Sequence, residues 1–108
     1  MPTALTHAFS SILDSPALVG VEVTDDVISV ELTDGRTLSV PLGWYPRLAA
    51  ATRKERSNWR TIGAGRGIHW PELDEDISVE ILLAGKPSAE SHASLGRWLA
   101  ARATLTAV

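Results

Sequence analysis

The chain has 108 residues and a mass of 11.6 kDa, which suffices for one compact domain and excludes a multidomain enzyme. Its 44% hydrophobic and 21% charged residues describe a globular chain, and with only four Trp, one Tyr and one Phe the core has to be chiefly aliphatic. A formal net charge of −3 gives no global attraction for nucleic acid or anionic lipid, and the lack of cysteine removes disulfides, thiolate metal sites and cysteine nucleophiles, as suits a reducing cytoplasm.

The opening residues have no basic start followed by an apolar stretch, so no secretory signal is expected, and apolar runs such as 48–51 and 81–84 are too short to cross a bilayer. Leu5, Ala8, Phe9, Ile12 and Leu13 recur at helical spacing and predict a leading helix within residues 1–18. From residue 19 to 42 the period changes to two. Val21 and Val23, then Ile28, Val30 and Leu32, then Leu38, Val40 and Leu42 predict a three-stranded antiparallel meander, with turns at Asp25-Asp26 and Asp34-Gly35. The Asp-Gly pair is read as a two-residue hairpin turn with positive φ at both positions.

One face of such a sheet needs covering, and the residues that follow can supply helices. Pro46 suits a first helical turn, and Thr52-Arg53-Lys54-Glu55 matches a capping box opening a second short helix that runs to Asn58. Residues 59–62 and 68–70 read as a strand pair around Gly63-Ala64-Gly65-Arg66-Gly67, extending the sheet. Residues 77–84 read as a helix closed by Gly85 and capped by the preceding carboxylates, with strand as the competing assignment. Ser88 is expected to cap a last helix with Leu95, Trp98, Leu99 and Leu105 as its apolar stripe. The result is an α+β fold: a small antiparallel sheet, made of a three-stranded meander plus a second short strand pair, covered on one face by short helices. The leading segment (1–18), the core (19–85) and a C-terminal helix (86–108) belong to one domain.

No catalytic constellation stands out. The glycines at 63, 65 and 67 fit neither a dinucleotide fingerprint nor a P-loop, so a tight hairpin loop is expected there. His69 with Glu72, Asp74 and Asp76 has no metal-ligand spacing, and the simpler role for His69 is to orient a turn by hydrogen bonds. No Gly-x-Ser-x-Gly elbow is present. An enzyme would need a concave pocket with polar groups converging around His69. The expectation is therefore no enzyme, no cofactor and no metal.

Charge segregation is the unusual feature. Residues 47–66 hold Arg47, Arg53, Lys54, Arg56, Arg60 and Arg66 against Glu55 alone, whereas 72–80 hold Glu72, Asp74, Glu75, Asp76 and Glu80 with no base. Either the two blocks are surfaces for partners or they face each other in ordinary ion pairs. Trp44, Tyr45, Trp59, Trp70 and Trp98 are expected mainly in the core, with exposure as partner anchors the other option.

Trp44-Tyr45-Pro46-Arg47-Leu48, Asn58-Trp59, Gly67-Ile68-His69-Trp70-Pro71 and the run from Leu73 to Gly85 resemble a bacterial family catalogued as domain of unknown function 2442. The resemblance covers roughly residues 19–102 and implies a small α+β fold with an antiparallel sheet. It implies no activity and no catalytic residues. Association of relatives with toxin–antitoxin-like gene pairs or helix-turn-helix domains implies a regulatory or partner-binding role.

The expectation is a cytoplasmic protein-binding or regulatory module, antitoxin-like toward a neighbouring gene product. Its partner is another protein, basic or nucleic-acid-processing, met through Arg53, Arg56, Arg60, Arg66, Asp74, Glu75 and Asp76. Membrane is not expected, and homodimerisation through a sheet edge is a further option. The alternative is a nucleic-acid-binding or mobile-element regulator that inhibits a nucleic-acid-processing complex.

Overall fold

A computed structural model describes residues 16–107. The leading helix expected around Leu5 to Leu13 lies outside the described residues, while Leu18, assigned to that segment, begins a strand. In chain order the elements are β1 (Leu18–Val23), β2 (Val27–Leu32), β3 (Thr37–Pro41), a 3-10 turn (Leu42–Trp44), α1 (Pro46–Ala49), α2 (Arg53–Ser57), β4 (Arg60–Ile62), β5 (Gly67–Trp70), β6 (Glu75–Ser78), α3 (Val79–Ala84) and α4 (His92–Ala107). Two antiparallel three-stranded sheets, ordered β1-β2-β3 and β4-β5-β6, combine with these short helices into an α+β fold.

The period of two in the first sheet becomes a sorted pair of faces. Val21 opposes Val30 and Val23 opposes Ile28, while Val30 and Ile28 in turn oppose Leu38 and Val40. Each of the three β2 side chains Ile28, Val30 and Leu32 is buried, worth about 1.5–3 kcal/mol apiece. On the other face, Ser29 and Ser39 share a hydroxyl hydrogen bond of 2.9 Å. A bulge between Leu18 and Gly20 turns Val19 outward, where it is exposed. The β2–β3 connection is longer than the two-residue turn expected. Leu32 N–H donates to the Arg36 carbonyl and Gly35 N–H to the Leu32 carbonyl, so only Gly35, at φ 91°, takes a left-handed backbone.

The capping box forms as read: Glu55 N–H donates to Thr52 Oγ1 at 3.1 Å, and Thr52 N–H donates to Glu55 Oε1 at 2.8 Å. The glycine-rich loop is a tight turn over residues 63–66, in which Gly63, Ala64 and Gly65 all have positive φ. Gly65 is required twice. Its φ is 83°, and a Cβ there would sit 3.0 Å from the Ala17 side chain and 3.3 Å from the Leu18 carbonyl.

Three expectations need correction. The second strand pair does not extend the first sheet but forms a sheet of its own with a third strand, β6, whose Ile77 and Asp76 lie opposite Ile68 and His69. The segment read as a helix from Ile77 therefore starts as strand and becomes helical only at Val79, where Ser78 Oγ accepts the Ile81 N–H; the carboxylates before it do not cap it. Gly85, at φ 69°, closes that helix as expected. The last helix begins at His92 instead of after Ser88, with Ser91 Oγ accepting the Ser94 N–H, while Leu99 is exposed and the Leu105 side chain lies outside the described residues.

Both sheets contribute to one core. Ile28, Val30 and Leu32 share it with Leu48, Ile68, Trp70, Leu73, Ile77, Val79 and Leu82. Trp70 is fully buried and donates from Nε1 to the Arg56 carbonyl at 3.0 Å, whereas Trp44, Trp59 and Trp98 are partly buried at the margin.

Candidate functional site

The two charge blocks do not act as units. Arg56, one of the expected partner contacts, is 8% exposed and therefore not part of a surface. Its guanidinium donates to the Leu48 carbonyl at 2.9 Å, the Ala49 carbonyl at 3.1 Å and Asp25 Oδ1 at 2.9 Å, closing the C-terminal end of α1. Arg53 meets the same Asp25 from an exposed position. The two guanidinium groups hold the Asp25 carboxyl below its ordinary pKa, chiefly through the Arg56 hydrogen bond. Arg60 and Arg66 lie exposed on β4 and in the 63–66 turn.

Asp74, Glu75 and Asp76 lead into and open β6, and they separate by environment. Asp74 is exposed, with a left-handed backbone at φ 49°. Asp76 is exposed and pairs with His69 Nδ1 across the β5–β6 ladder, so His69 links two strands instead of orienting a turn. Glu72 binds Asn58. Among the described residues, no three His, Asp or Glu side chains gather as metal ligands.

Glu75 is set apart from its neighbours. It lines a cleft of about 360 Å³ between β6, α3 and residues 86–90, together with Tyr45, Asp76, Ile77, Ile81 and Pro87. Tyr45 is buried and donates its hydroxyl to the Lys86 carbonyl at 2.9 Å, which ties the linker after α3 to the start of α1. Burial, reinforced by the charges of Glu90 and Asp76 and opposed by Arg47, pushes the Glu75 carboxyl up to about 6. Burial and the nearby Glu75 likewise raise Tyr45. Glu75 lines the cleft and His69 does not.

Arg47 forms one border of the cleft and is occupied by other groups. It grips Glu90 in a fork, Nε to Oε1 at 2.9 Å and Nη2 to Oε2 at 2.6 Å, and donates from Nη1 to the Leu73 carbonyl at 3.0 Å. Trp98 lies under two guanidinium groups, with Arg47 and Arg102 at 5.0 and 4.8 Å from its ring centre. Arg102 in turn makes a double hydrogen bond to Glu55, holding that carboxyl down at about 2. The ion pairs on Arg47, Arg53, Arg56 and Glu55 thus run to Glu90, Asp25 and Arg102, outside both charge blocks. Tyr45, Glu90 and Arg102 were not among the expected site residues. Pairs separated by more than forty positions leave no local sequence signal, as with Arg47–Glu90 and Glu55–Arg102.

Residues 18–88, well over half of the chain and spanning β1 to the floor and walls of the cleft, match the family described as protein of unknown function (DUF2442). The chain belongs to that family. A DUF2442-like backbone recurs in two solved structures. A protein of unknown function from Rhodospirillum rubrum is 25% identical, with a TM-score of 0.61, 71% of this chain covered and 95% of that one. An uncharacterised protein from Chromobacterium violaceum is 21% identical, with a TM-score of 0.62 and coverages of 82% and 84%, a likeness of fold alone. No curated protein matches the chain. The DUF2442 match ends at Ser88, so the cleft's Glu90 border and helix α4 follow the matched stretch. No helix among the described residues is long and apolar enough to cross a membrane.

Proposed function

We propose that this protein acts in the cytoplasm by binding another protein, as the regulatory member of a pair encoded side by side, and not by turning over a substrate. The observation that carries this is Glu75: a half-buried carboxylate in the wall of an open cleft, where the cation acting on it, Arg47, is already held by Glu90. A carboxylate in that condition favours a basic partner, and exposed Asp74 and Asp76, its sequence neighbours, add negative charge to the surface around β6. The expected partner therefore presents a basic surface. Exposed Arg53 and Arg60 are a second, weaker contact region.

Co-expression with the product of the adjacent gene, followed by size-exclusion chromatography, tests the proposal. Capture should be lost when Asp74 and Asp76 are both replaced by Lys and should weaken with Arg53→Glu plus Arg60→Glu, each variant first shown by circular dichroism to be folded at the assay temperature. Capture that survives both reversals overturns the proposal. So does DNA or RNA binding that falls steeply with salt and competes with the protein partner, which would favour the nucleic-acid alternative.

A further inference from the structure

The cleft has the dimensions and chemistry of a receptor for a single side chain. At about 360 Å³ it lies at the small end of ligand pockets, too small for a folded segment and ample for one long residue. Its surfaces divide by polarity. Tyr45, Ile77, Ile81 and Pro87 supply apolar walls, and Glu75 supplies the acidic end, the Asp76 carboxylate being paired with His69. That division matches a long basic residue, which has an aliphatic stem and a charged head.

We propose that this cleft seats one basic side chain, arginine or lysine, presented by the partner protein. The inference deepens the protein-binding reading and rests on it. Charge complementarity identifies the occupant. The cleft removes water from the Glu75 carboxylate without giving it a cation of its own, because Arg47 is bound to Glu90 and to the Leu73 carbonyl. A guanidinium or ammonium entering beside Glu75 supplies a counter-charge and donates hydrogen bonds to the carboxylate.

The groups facing Glu75 set the pH response. They are Arg47 from α1, Glu90 from the segment before α4, Asp76 on the same strand and Tyr45 beneath it, with Lys86 in the linker wall. Burial is the chief cause that pushes the Glu75 carboxyl up to about 6, and among the charges acting on it only Arg47 opposes the rise. The occupant needs the ionised form. Affinity should therefore be full near pH 7.5 and about tenfold lower near pH 5, where protonation competes.

The test uses the full chain and two peptides, acetyl-Gly-Arg-Gly-amide and its uncharged citrulline counterpart, titrated by NMR. The arginine peptide should shift Tyr45, Ile77 and Ile81, bind at least about tenfold more tightly than the citrulline peptide, and weaken about tenfold on acidification. Glu75→Gln should abolish both the charge preference and the pH dependence. Ile81→Trp, on an exposed position of α3, should block the cleft mouth without disturbing the core. Equal binding of the two peptides, an absence of shifts at the cleft, or indifference to both variants overturns the proposal. The two levels fail separately. A protein partner lost on Asp74 and Asp76 reversal but unaffected by Glu75→Gln and Ile81→Trp refutes the cleft receptor and leaves protein binding intact. Peptide binding in the cleft with no protein captured does the reverse.

Discussion

Arg56 offers the sharpest separation of a structural role from a binding role. Arg56→Met keeps the aliphatic stem and deletes the guanidinium bonds to the carbonyls of Leu48 and Ala49, leaving Leu48 with the Ala51 N–H at 3.2 Å. Leu48 is fully buried, so no water replaces the charged hydrogen bond to its carbonyl, and losing that bond costs about 2 kcal/mol although the Ala51 N–H remains. Ala49 is exposed and water can replace most of its bond, adding about 1 kcal/mol or less. The Asp25 contact contributes little, since that carboxylate is well solvated. The sum is about 3 kcal/mol, or a melting temperature lower by roughly 15 °C in a domain of this size. Urea unfolding followed by far-UV circular dichroism measures it. Arg56→Lys should recover part of the loss, because an ammonium reaches one carbonyl but cannot fork between two. A stability change below about 0.5 kcal/mol for Arg56→Met would refute the assignment, above all if partner capture were lost instead.

Glu75→Gln should stabilise the protein at neutral pH. The folded carboxyl titrates at about 6 against an ordinary 4.5, so ionisation opposes folding. Allowing for partial exposure, the variant gains roughly 1 kcal/mol above pH 7, and the gain disappears below about pH 4.5, where both states are protonated. Glu55 has the opposite sign: its carboxyl, held down at about 2 mainly by Arg102, contributes stability above pH 4.5 that is lost as pH falls toward 2. Trp98 fluorescence should report this acid loosening of α4, and Arg102→Ala should produce it at neutral pH. Gly65→Ala should destabilise by about 2 kcal/mol or more and Gly35→Ala by about 1, since both have positive φ but only Gly65 is crowded by Ala17 and Leu18. Thermal melts of the two variants should rank in that order.

Much of the backbone was legible because its determinants are local. Alternation at Ile28, Val30 and Leu32 fixes which face of β2 is buried, and Thr52 with Glu55 satisfies the start of α2 within four residues. β6 was hard to read for a physical reason. Glu75 and Asp76 have poor intrinsic strand preference, and they are extended because they pair with Trp70 and His69 of β5 across a short hairpin that no alternating apolar pattern announces. Ser78 then caps a helix within the same apolar run, so two periodicities share a stretch too short to reveal either. Charge was legible as composition but not as arrangement. Arg56 looks like a surface residue until the ends of α1 and α2 bring the Leu48 and Ala49 carbonyls to its guanidinium. The cleft belongs to the same category, because Tyr45 and Glu75 become neighbours only when α1 packs beside β6.

The 63–66 turn joins the two sheets through the main chain. Leu18 N–H, at the start of β1, donates to the Gly65 carbonyl at 2.8 Å, and Val79 N–H, just after β6, donates to the Arg66 carbonyl at 2.8 Å. One four-residue loop therefore anchors the first strand of one sheet and the last strand of the other. Opening either sheet on its own would strand amide groups belonging to both. Slow hydrogen–deuterium exchange should accordingly show Ile28, Val30, Ile68 and Ile77 losing protection together, as a single cooperative foldon, even though no strand is shared between the sheets.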